Sequence, residues 1–227
     1  MRVLVVEDDA ELGDSLRRAL ADAGMLVDLC GDGTEAEFLG VTETYDAAVL
    51  DLGLPGIDGV TLLRHWREQG AAYPVLVLTA RTRWGDKRAA FEAGADDYLT
   101  KPFLHDEVVM RLRVLQRRAY GRAEPVIAVG GLRLDTAGQR FTLGGRPLAL
   151  TAQEHRILEY LMHRKGQPVS RAELAEHVYA RDLDPDSNTL DVLIGRIRRK
   201  LGTPLIHTER GRGWRLAAPD DGDDPAA

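Results

Sequence analysis

The chain has 227 residues, 44% of them apolar and 29% charged, with a formal net charge of −6, which allows two modest domains with cores of their own and excludes a disordered or fibrous chain. A single cysteine, Cys30, excludes an intramolecular disulfide and points to a reducing compartment. The start "MRVLVVEDD" turns acidic too early for a signal peptide, and no apolar run approaches the roughly 20 residues of a membrane span, so the expectation is a cytoplasmic protein with no membrane association.

The charge is unevenly shared. Residues 1–119 carry 14 basic and 21 acidic side chains, whereas residues 120–218 carry 16 and 11. An acidic half joined to a basic half implies different partners, with nucleic acid the candidate for the second. The tail "PDDGDDPAA" (219–227) lacks large apolar residues and reads as disordered.

Five short apolar runs recur in the first half: "VLVV" (Val3–Val6), "LVDLC" (Leu26–Cys30), "AAVL" (Ala47–Leu50), "VLVLT" (Val75–Thr79) and "YLT" (Tyr98–Thr100). Between them lie segments with helical apolar spacing, such as Leu12, Leu16, Ala19, Leu20 and Ala23, and a helix over about Asp106–Arg118 closes the series. Continuous apolar strands alternating with helices predict a parallel sheet buried on both faces, with ligands beyond the carboxyl ends of its strands. The first strand ends in Glu7, Asp8 and Asp9, the third in Asp51 and the fourth in Thr79, and the fifth leads to Lys101. If the strand order is the doubly wound 2-1-3-4-5, strands 1 and 3 are neighbours and Asp8 and Asp51 face each other at the switch point. Carboxylates clustered there repel unless a cation sits among them, and hard oxygen ligands at a partly open site favour Mg²⁺ or Mn²⁺. An ammonium from Lys101 and a hydroxyl from Thr79 complete a cradle for a phosphoryl group, with Asp51 as the nucleophile. Singly, these residues have plainer readings: Asp51 as a turn residue, "EDD" as a helix cap, Lys101 as a solvated loop lysine. Their joint arrival at strand ends favours the site. A haloacid-dehalogenase-type phosphatase would need a second acid where Gly53 stands, and a flavin binder would need a phosphate-donating rather than an acidic first loop.

The segments "VVEDD", "DLGLPGIDG", "LTA" and "AGADDYLTKPF" resemble, in order and spacing, the receiver domain of two-component response regulators over residues 1–119. The resemblance implies that Asp51 takes a phosphoryl group from a sensor histidine kinase. It implies that Glu7, Asp8, Asp51 and the Gly53 carbonyl serve Mg²⁺, and that Thr79 and Lys101 touch phosphoryl oxygens. It further implies that Tyr98 swings inward on activation and that Lys101–Pro102 is cis. Such a receiver promotes its own phosphotransfer and slow dephosphorylation and is not otherwise an enzyme. The family's dimer face maps onto the charged residues Lys87, Asp96, Asp97, Glu107, Arg111 and Arg118, with cross-dimer pairs Lys87–Glu107, Asp97–Arg111 and Asp96–Arg118. Trp84, Phe91 and Val109 would form its apolar centre.

After a linker over residues 120–125, strand-like runs "VIAV", "LRLD", "RFTL" and "LAL" are separated by Gly-Gly pairs. A helix opens at Thr151 with Glu154 in the capping-box position and stops at Gly166. A second opens at Ser170 with Glu173 three later, and a third runs from Ser187 through "SNTLDVLIGRIRRKLG". "LIHTERGRGWRL" reads as two short strands around a Gly-Arg turn. The third helix carries an apolar stripe of Leu190, Ile194, Ile197 and Leu201, with Arg196, Arg199 and Lys200 off it and Asn188 near its start. Three helices and a basic hairpin predict a winged helix-turn-helix whose third helix enters the major groove, where Asn reads adenine and Arg reads guanine or holds phosphate. Gly195 costs that helix roughly 1 kcal/mol against alanine, which calls for close packing or a close backbone approach. Trp214 has a core reading and a phosphate-packing reading.

The second half, residues 126–218, resembles the OmpR/PhoB effector domain in "TAQEHRILEYL", "SNTLDVLIGRIRRKL" and "ERGRGWRL". This implies DNA-facing roles for Asn188, Leu193, Arg196, Arg198 and Arg199, phosphate contacts from Thr208 and Trp214, and wing contacts from Arg210 and Arg212. It places the acidic loop "ARDLDPDS" against RNA polymerase. Within the family, "DLGLPGIDG", "RWGDK" and "VLIGRIRRKL" point to the PhoP branch. The expected fold is therefore α/β, a flavodoxin-like receiver followed by a winged helix-turn-helix. The expected function is phosphorylation-activated transcriptional regulation, as a homodimer on direct repeats in double-stranded promoter DNA. A regulator that binds DNA without phosphorylation, and an enzyme acting on phosphates, are the alternatives.

Overall fold

The computed structural model describes residues 1–81, 83–121, 124–178 and 189–218. Asn188, the whole acidic loop 180–187 ahead of it and the 219–227 tail lie outside the described residues, as do 122 and 123 of the linker. The chain divides into two compact units, 1–122 and 123–227.

The first unit runs β1 (Arg2–Val6), α1 (Ala10–Asp22), β2 (Leu26–Cys30), α2 (Gly33–Thr42), β3 (Ala47–Asp51), α3 (Gly59–Glu68), β4 (Val75–Thr79), α4 (Trp84–Glu92), β5 (Asp97–Thr100) and α5 (His105–Ala119). Its strands form one parallel sheet in the order β2-β1-β3-β4-β5. Successive strand residues point to opposite faces. Val3, Val5, Val49, Leu76 and Leu78 therefore pack with Leu16, Leu20 and Leu112 of α1 and α5. Leu4, Val6, Leu50, Val75 and Val77 pack with Leu62, Leu63 and Trp66 of α3. The prediction of strands buried on both faces holds for β1, β3 and β4. The edge strands β2 and β5 have one neighbour each and are only half-buried.

Aspartates start three of the helices. Asp9, Asp32 and Asp58 each accept backbone N–H bonds from the first turn that follows. The plain reading of "EDD" thus holds for its last member, Asp9, and leaves Glu7 and Asp8 for other work. Two glycines fix how closely the layers meet. A Cβ on Gly40 would lie 2.2 Å from Trp66 Nε1, so α2 seats on α3 only without a side chain there. A Cβ on Gly59 would lie 2.5 Å from the Asp51 carbonyl oxygen, so α3 begins directly against the end of β3.

The second unit opens with an antiparallel sheet of β6 (Val126–Val129), β7 (Leu132–Asp135), β8 (Arg140–Leu143) and β9 (Arg146–Pro147). There follow α6 (Ala152–His163), β10 (Pro168–Val169), α7 (Arg171–Val178), α8 (Thr189–Leu201), β11 (Ile206–Glu209) and β12 (Gly213–Leu216), the short strands pairing as β10-β12-β11. This is a winged helix-turn-helix domain. "LAL" is not a strand: Leu148 N still donates to Phe141 O at 2.9 Å, but the Ala149 carbonyl accepts from Lys200 Nζ at 3.0 Å. The capping box at Thr151 and Glu154 forms in full, but α6 ends at His163, three residues before Gly166. At α7 only half of the expected box forms: Ser170 Oγ accepts from Glu173 N, whereas the Glu173 carboxylate takes the Tyr160 hydroxyl at 2.8 Å. Sequence patterning missed the two-residue β10, against which β12 lies so closely that a Cβ on Gly213 would be 2.0 Å from the Val169 carbonyl oxygen. Among the described residues, no helix is long and apolar enough to cross a membrane.

Candidate functional site

The carboxyl ends of β1, β3 and β5 bring Glu7, Asp8, Asp51 and Lys101 together. The Lys101 ammonium lies 2.5 Å from Asp51 Oδ2 and 2.8 Å from both Glu7 oxygens. The Glu7 and Asp51 side chains are only 2% and 9% exposed, whereas Asp8 is open to solvent. Burial pushes the Glu7 carboxyl above the usual glutamate range against the pull of Lys101, and the neighbouring Asp51 adds to the push. Burial alone would lower Lys101, but its hydrogen bonds to Asp51 and Glu7 outweigh that and hold it above its ordinary value. Glu7, Asp8 and Asp51 each offer a carboxylate oxygen, all within 4.8 Å of one another. Three hard oxygen donors with one side open to water fit a hydrated Mg²⁺ ion. The contact Gly53 makes here is through its N–H, which donates to Asp51 Oδ1 at 3.0 Å.

Thr79 is buried at the end of β4, and its hydroxyl oxygen accepts from Arg81 N at 3.2 Å. Tyr98, half-buried on β5, donates its hydroxyl to the Arg81 carbonyl. The Arg81 guanidinium crosses to Leu52 O at 3.1 Å and Asp58 Oδ1 at 2.8 Å. Both residues read as switch elements are therefore held by Arg81, which sequence reasoning did not single out. The available signal was the one that identified Lys101: a cation just past a strand end, beside the acid cluster. Lys101–Pro102 is cis.

Of the residues assigned to a dimer face, Trp84 and Phe91 are exposed, at 77% and 49%. Val109 is not: it is 8% exposed and packs in the sheet–α5 core. The helical stripe facing the sheet includes it along with Val108 and Leu112. The assigned charge pairs are also made differently within one chain. Arg111 holds its own Asp97 at 2.7 Å and Glu107 at 2.6 Å, and Asp96 takes Arg67 at 2.9 Å. Lys87 lies over the Tyr98 ring, 5.4 Å from its centroid, and Arg118 is exposed.

On α8 the basic residues divide. Arg198 donates to Ile206 O at 3.0 Å and Thr208 Oγ1 at 2.7 Å, tying helix to wing. Lys200 is held by Glu154 Oε2 at 2.6 Å. Arg196 and Arg199 are exposed. Leu193, assigned to DNA, is 4% exposed within the effector core and belongs to the apolar stripe. The exposed apolar residue is instead Val192, at 50%, on the same face as Arg196 and Arg199. It was missed because an apolar residue beside an apolar stripe reads as core. Trp214 is a core side chain, 4% exposed, with the Arg171 guanidinium 5.3 Å from its ring centroid. Arg210 and Arg212 stand exposed on the turn between β11 and β12.

A doubly wound sheet with an acid–lysine cluster at its carboxyl edge, followed by a winged helix, defines a receiver coupled to a DNA-binding effector. The model of the response regulator receiver domain matches residues 3–113, and that of the C-terminal domain of transcriptional regulatory proteins matches 145–216. The response regulator protein PmrA of Pseudomonas aeruginosa is 44% identical over 96% of this chain and 99% of its own length. The two-component response regulator PhoP of the same organism is 44% identical over 94% and 97%. The transcriptional regulatory protein PhoP of Escherichia coli K12 is 41% identical over 94% and 98%. Among solved structures, the receiver domain of the Francisella response regulator 1452 is 37% identical with a TM-score of 0.50, covering 52% of this chain and 97% of that one. The chain belongs to the OmpR/PhoB family of two-component response regulators.

Proposed function

We infer that this regulator is switched by phosphorylation of Asp51 and that the phosphorylated form binds promoter DNA as a homodimer. The observation that carries the reading is the cluster itself: a nearly buried carboxylate held by an ammonium, with two further acids beside it and a buried hydroxyl at the next strand end. An Asp51 oxygen attacks the phosphorus of a kinase phosphohistidine. The new O–P bond forms as the P–N bond breaks, and the imidazole nitrogen leaves with the electron pair. Glu7, Asp8, Asp51 and the Gly53 carbonyl would hold Mg²⁺, which supplies charge neutralisation of the phosphoryl oxygens. Lys101 leaves Glu7 to pair with the phosphoryl group, and the Thr79 hydroxyl, released from the Arg81 N–H, donates to it. The protein then acts on no other substrate: it promotes its own phosphotransfer and a slow hydrolysis of the aspartyl phosphate.

Activation would free Tyr98 from the Arg81 carbonyl and reshape the surface of α4, β5 and α5, where the exposed Trp84 and Phe91 supply the apolar contact and Lys87, Glu107, Arg111 and Arg118 the polar one. Arg111 already bonds two acids of its own chain, so cross-dimer pairing there means exchange of partners rather than capture of a free charge. On DNA, Arg196, Arg199 and Val192 offer base or phosphate contacts, and Arg210 and Arg212 reach outward from the wing, two effectors lying on a direct repeat. Asn188 as an adenine reader and the acidic loop as a polymerase contact complete the proposal.

The test is incubation with acetyl phosphate and Mg²⁺ followed by intact mass measurement. The wild type should gain one phosphoryl group, and Asp51→Asn, or the wild type in EDTA, should gain none. An adduct that persists in either condition contradicts the assignment.

A further inference from the structure

The exposed face of α8 is a stripe of Val192, Gly195, Arg196 and Arg199, spaced as i, i+3, i+4 and i+7. Gly195 stands near the middle of the 13-residue helix, where glycine is unfavourable relative to alanine by roughly fivefold in the folding equilibrium. Gly85, in the first turn of α4 where the interior penalty does not apply, is equally open, whereas Gly40 is explained by Trp66 and Gly59 by the end of β3, both within the chain. At Gly195 that explanation fails. A Cβ built there meets nothing among the described residues within 4 Å, and no positive φ requires glycine. Among the described residues, nothing takes up the space that a side chain at Gly195 would fill.

Its neighbours indicate what that is. The cations of α8 that the fold uses, Arg198 and Lys200, point to the wing and to α6. Arg196 and Arg199 are exposed beside Gly195, the Arg199 Nε donating to the Gly195 carbonyl at 3.4 Å, together with a half-exposed valine. Guanidinium groups beside an apolar side chain suit a groove that presents acceptor atoms and thymine methyls between phosphates.

We propose that Gly195 is the seating point of α8 in the major groove, where the bare helix backbone comes into van der Waals contact with DNA and sets the depth from which Val192 and Arg196 reach base edges. This rests on the DNA-binding reading of the same helix. Glycine is used where backbone approaches a ligand closely, and the helix accepts its propensity cost at this position. A side chain there would act as a spacer, lifting both neighbours off the bases at once.

The experiment uses full-length wild type, Gly195→Ala, Gly195→Leu and Arg196→Ala, with the highest-affinity duplex that the wild type selects from random DNA and a scrambled duplex as probes. Gly195→Ala should raise the melting temperature of the effector unit by roughly 2–8 °C. It should weaken binding to the selected duplex by roughly tenfold, as overpacking a closed contact does. Gly195→Leu should weaken it further, and binding to scrambled DNA should change little. A stabilised Gly195→Ala that binds the selected duplex as tightly as wild type overturns the proposal, as does a lowered melting temperature, which would mean that the space is not open. Arg196→Ala separates this from the reading beneath it. If Arg196→Ala also binds normally, the DNA face itself is misplaced; if it weakens binding and Gly195→Ala does not, only the seating role fails.

Discussion

Replacing Lys101 with Met keeps most of the apolar stem and removes the ammonium that balances Glu7 and Asp51. Both carboxylates are nearly buried, and removing one partner of a buried ion pair costs about 3–5 kcal/mol. Because the ammonium is itself 21% exposed and water can enter where it stood, the lower end applies, about 3 kcal/mol. Urea unfolding in EDTA, followed through the fully buried Trp66, should report that loss in the receiver unit. Mg²⁺ should then do more for the variant than for the wild type. A +1 and a +2 charge about 5 Å apart repel by about 1–2 kcal/mol even at the dielectric constant of water, so losing the ammonium tightens Mg²⁺ binding by roughly 5–30-fold. At a Mg²⁺ concentration near 100 times its Kd, binding restores about 2.7 kcal/mol, most of the deficit. Phosphoryl uptake from acetyl phosphate should still be slowed, since the cation contact on the transferred group is gone. If Mg²⁺ raises the two unfolding midpoints equally, or binds the variant more weakly, then Lys101 and the divalent ion do not share one acid cluster and the electrostatic account of the site is wrong.

Four other outcomes follow from residues already described. Glu154 has its carboxyl held below the usual range by Lys200 and Thr151 despite burial, so its stabilisation is present at neutral pH and lost as pH falls through the lowered value; Glu154→Gln should cost the effector about 1–2 kcal/mol at pH 7 in the hydrogen exchange of its slowest α6 amides, and the gap to wild type should close on acidification. Arg111→Glu should lower receiver stability by less than about 1 kcal/mol, its pairs being part-exposed, yet weaken the phosphorylated dimer by roughly tenfold in sedimentation; an unchanged dimer removes this face from assembly. In selection from random DNA, Arg196→Ala should relax the motif at one position at a cost of about 1–3 kcal/mol. Arg210→Ala should weaken all sequences alike and reduce the salt slope by about one, and recovery of inverted repeats alone would refute the tandem arrangement.

The receiver was the more legible half, for a physical reason. Parallel strands buried on both faces must be continuously apolar, so the residue at which that run stops marks the functional edge, and Glu7, Asp51 and Thr79 could be read from it. Lys101 and Asp8 followed from the same edge. What the pattern could not carry was which surface groups find partners within their own chain. Val109 lies one residue from Val108 and was assigned to the apolar centre of the dimer face by the family resemblance, but α5 turns both toward the sheet. Arg81 was passed over although it stands just past a strand end, because its role comes from three hydrogen-bonding directions at once, two of them through its backbone.

The effector makes the same point with charge. Arg196, Arg198, Arg199 and Lys200 are one basic run in the sequence, and composition alone assigns them a single role. A helix turns successive residues by about 100°, so four cations within five residues cannot all face one ligand. Arg198 and Lys200 are turned toward the wing and α6, where a carbonyl, a hydroxyl and the buried Glu154 carboxylate take up their donors. That leaves two guanidinium groups, with Val192 and the gap at Gly195, on the outward face. The structural pair therefore holds α8 at a fixed angle to the wing, and the outward pair meets DNA at that angle. Substituting Arg198 should loosen wing and helix together and weaken binding on every sequence, whereas substituting Arg196 should change which sequence is chosen, although the two residues stand two positions apart.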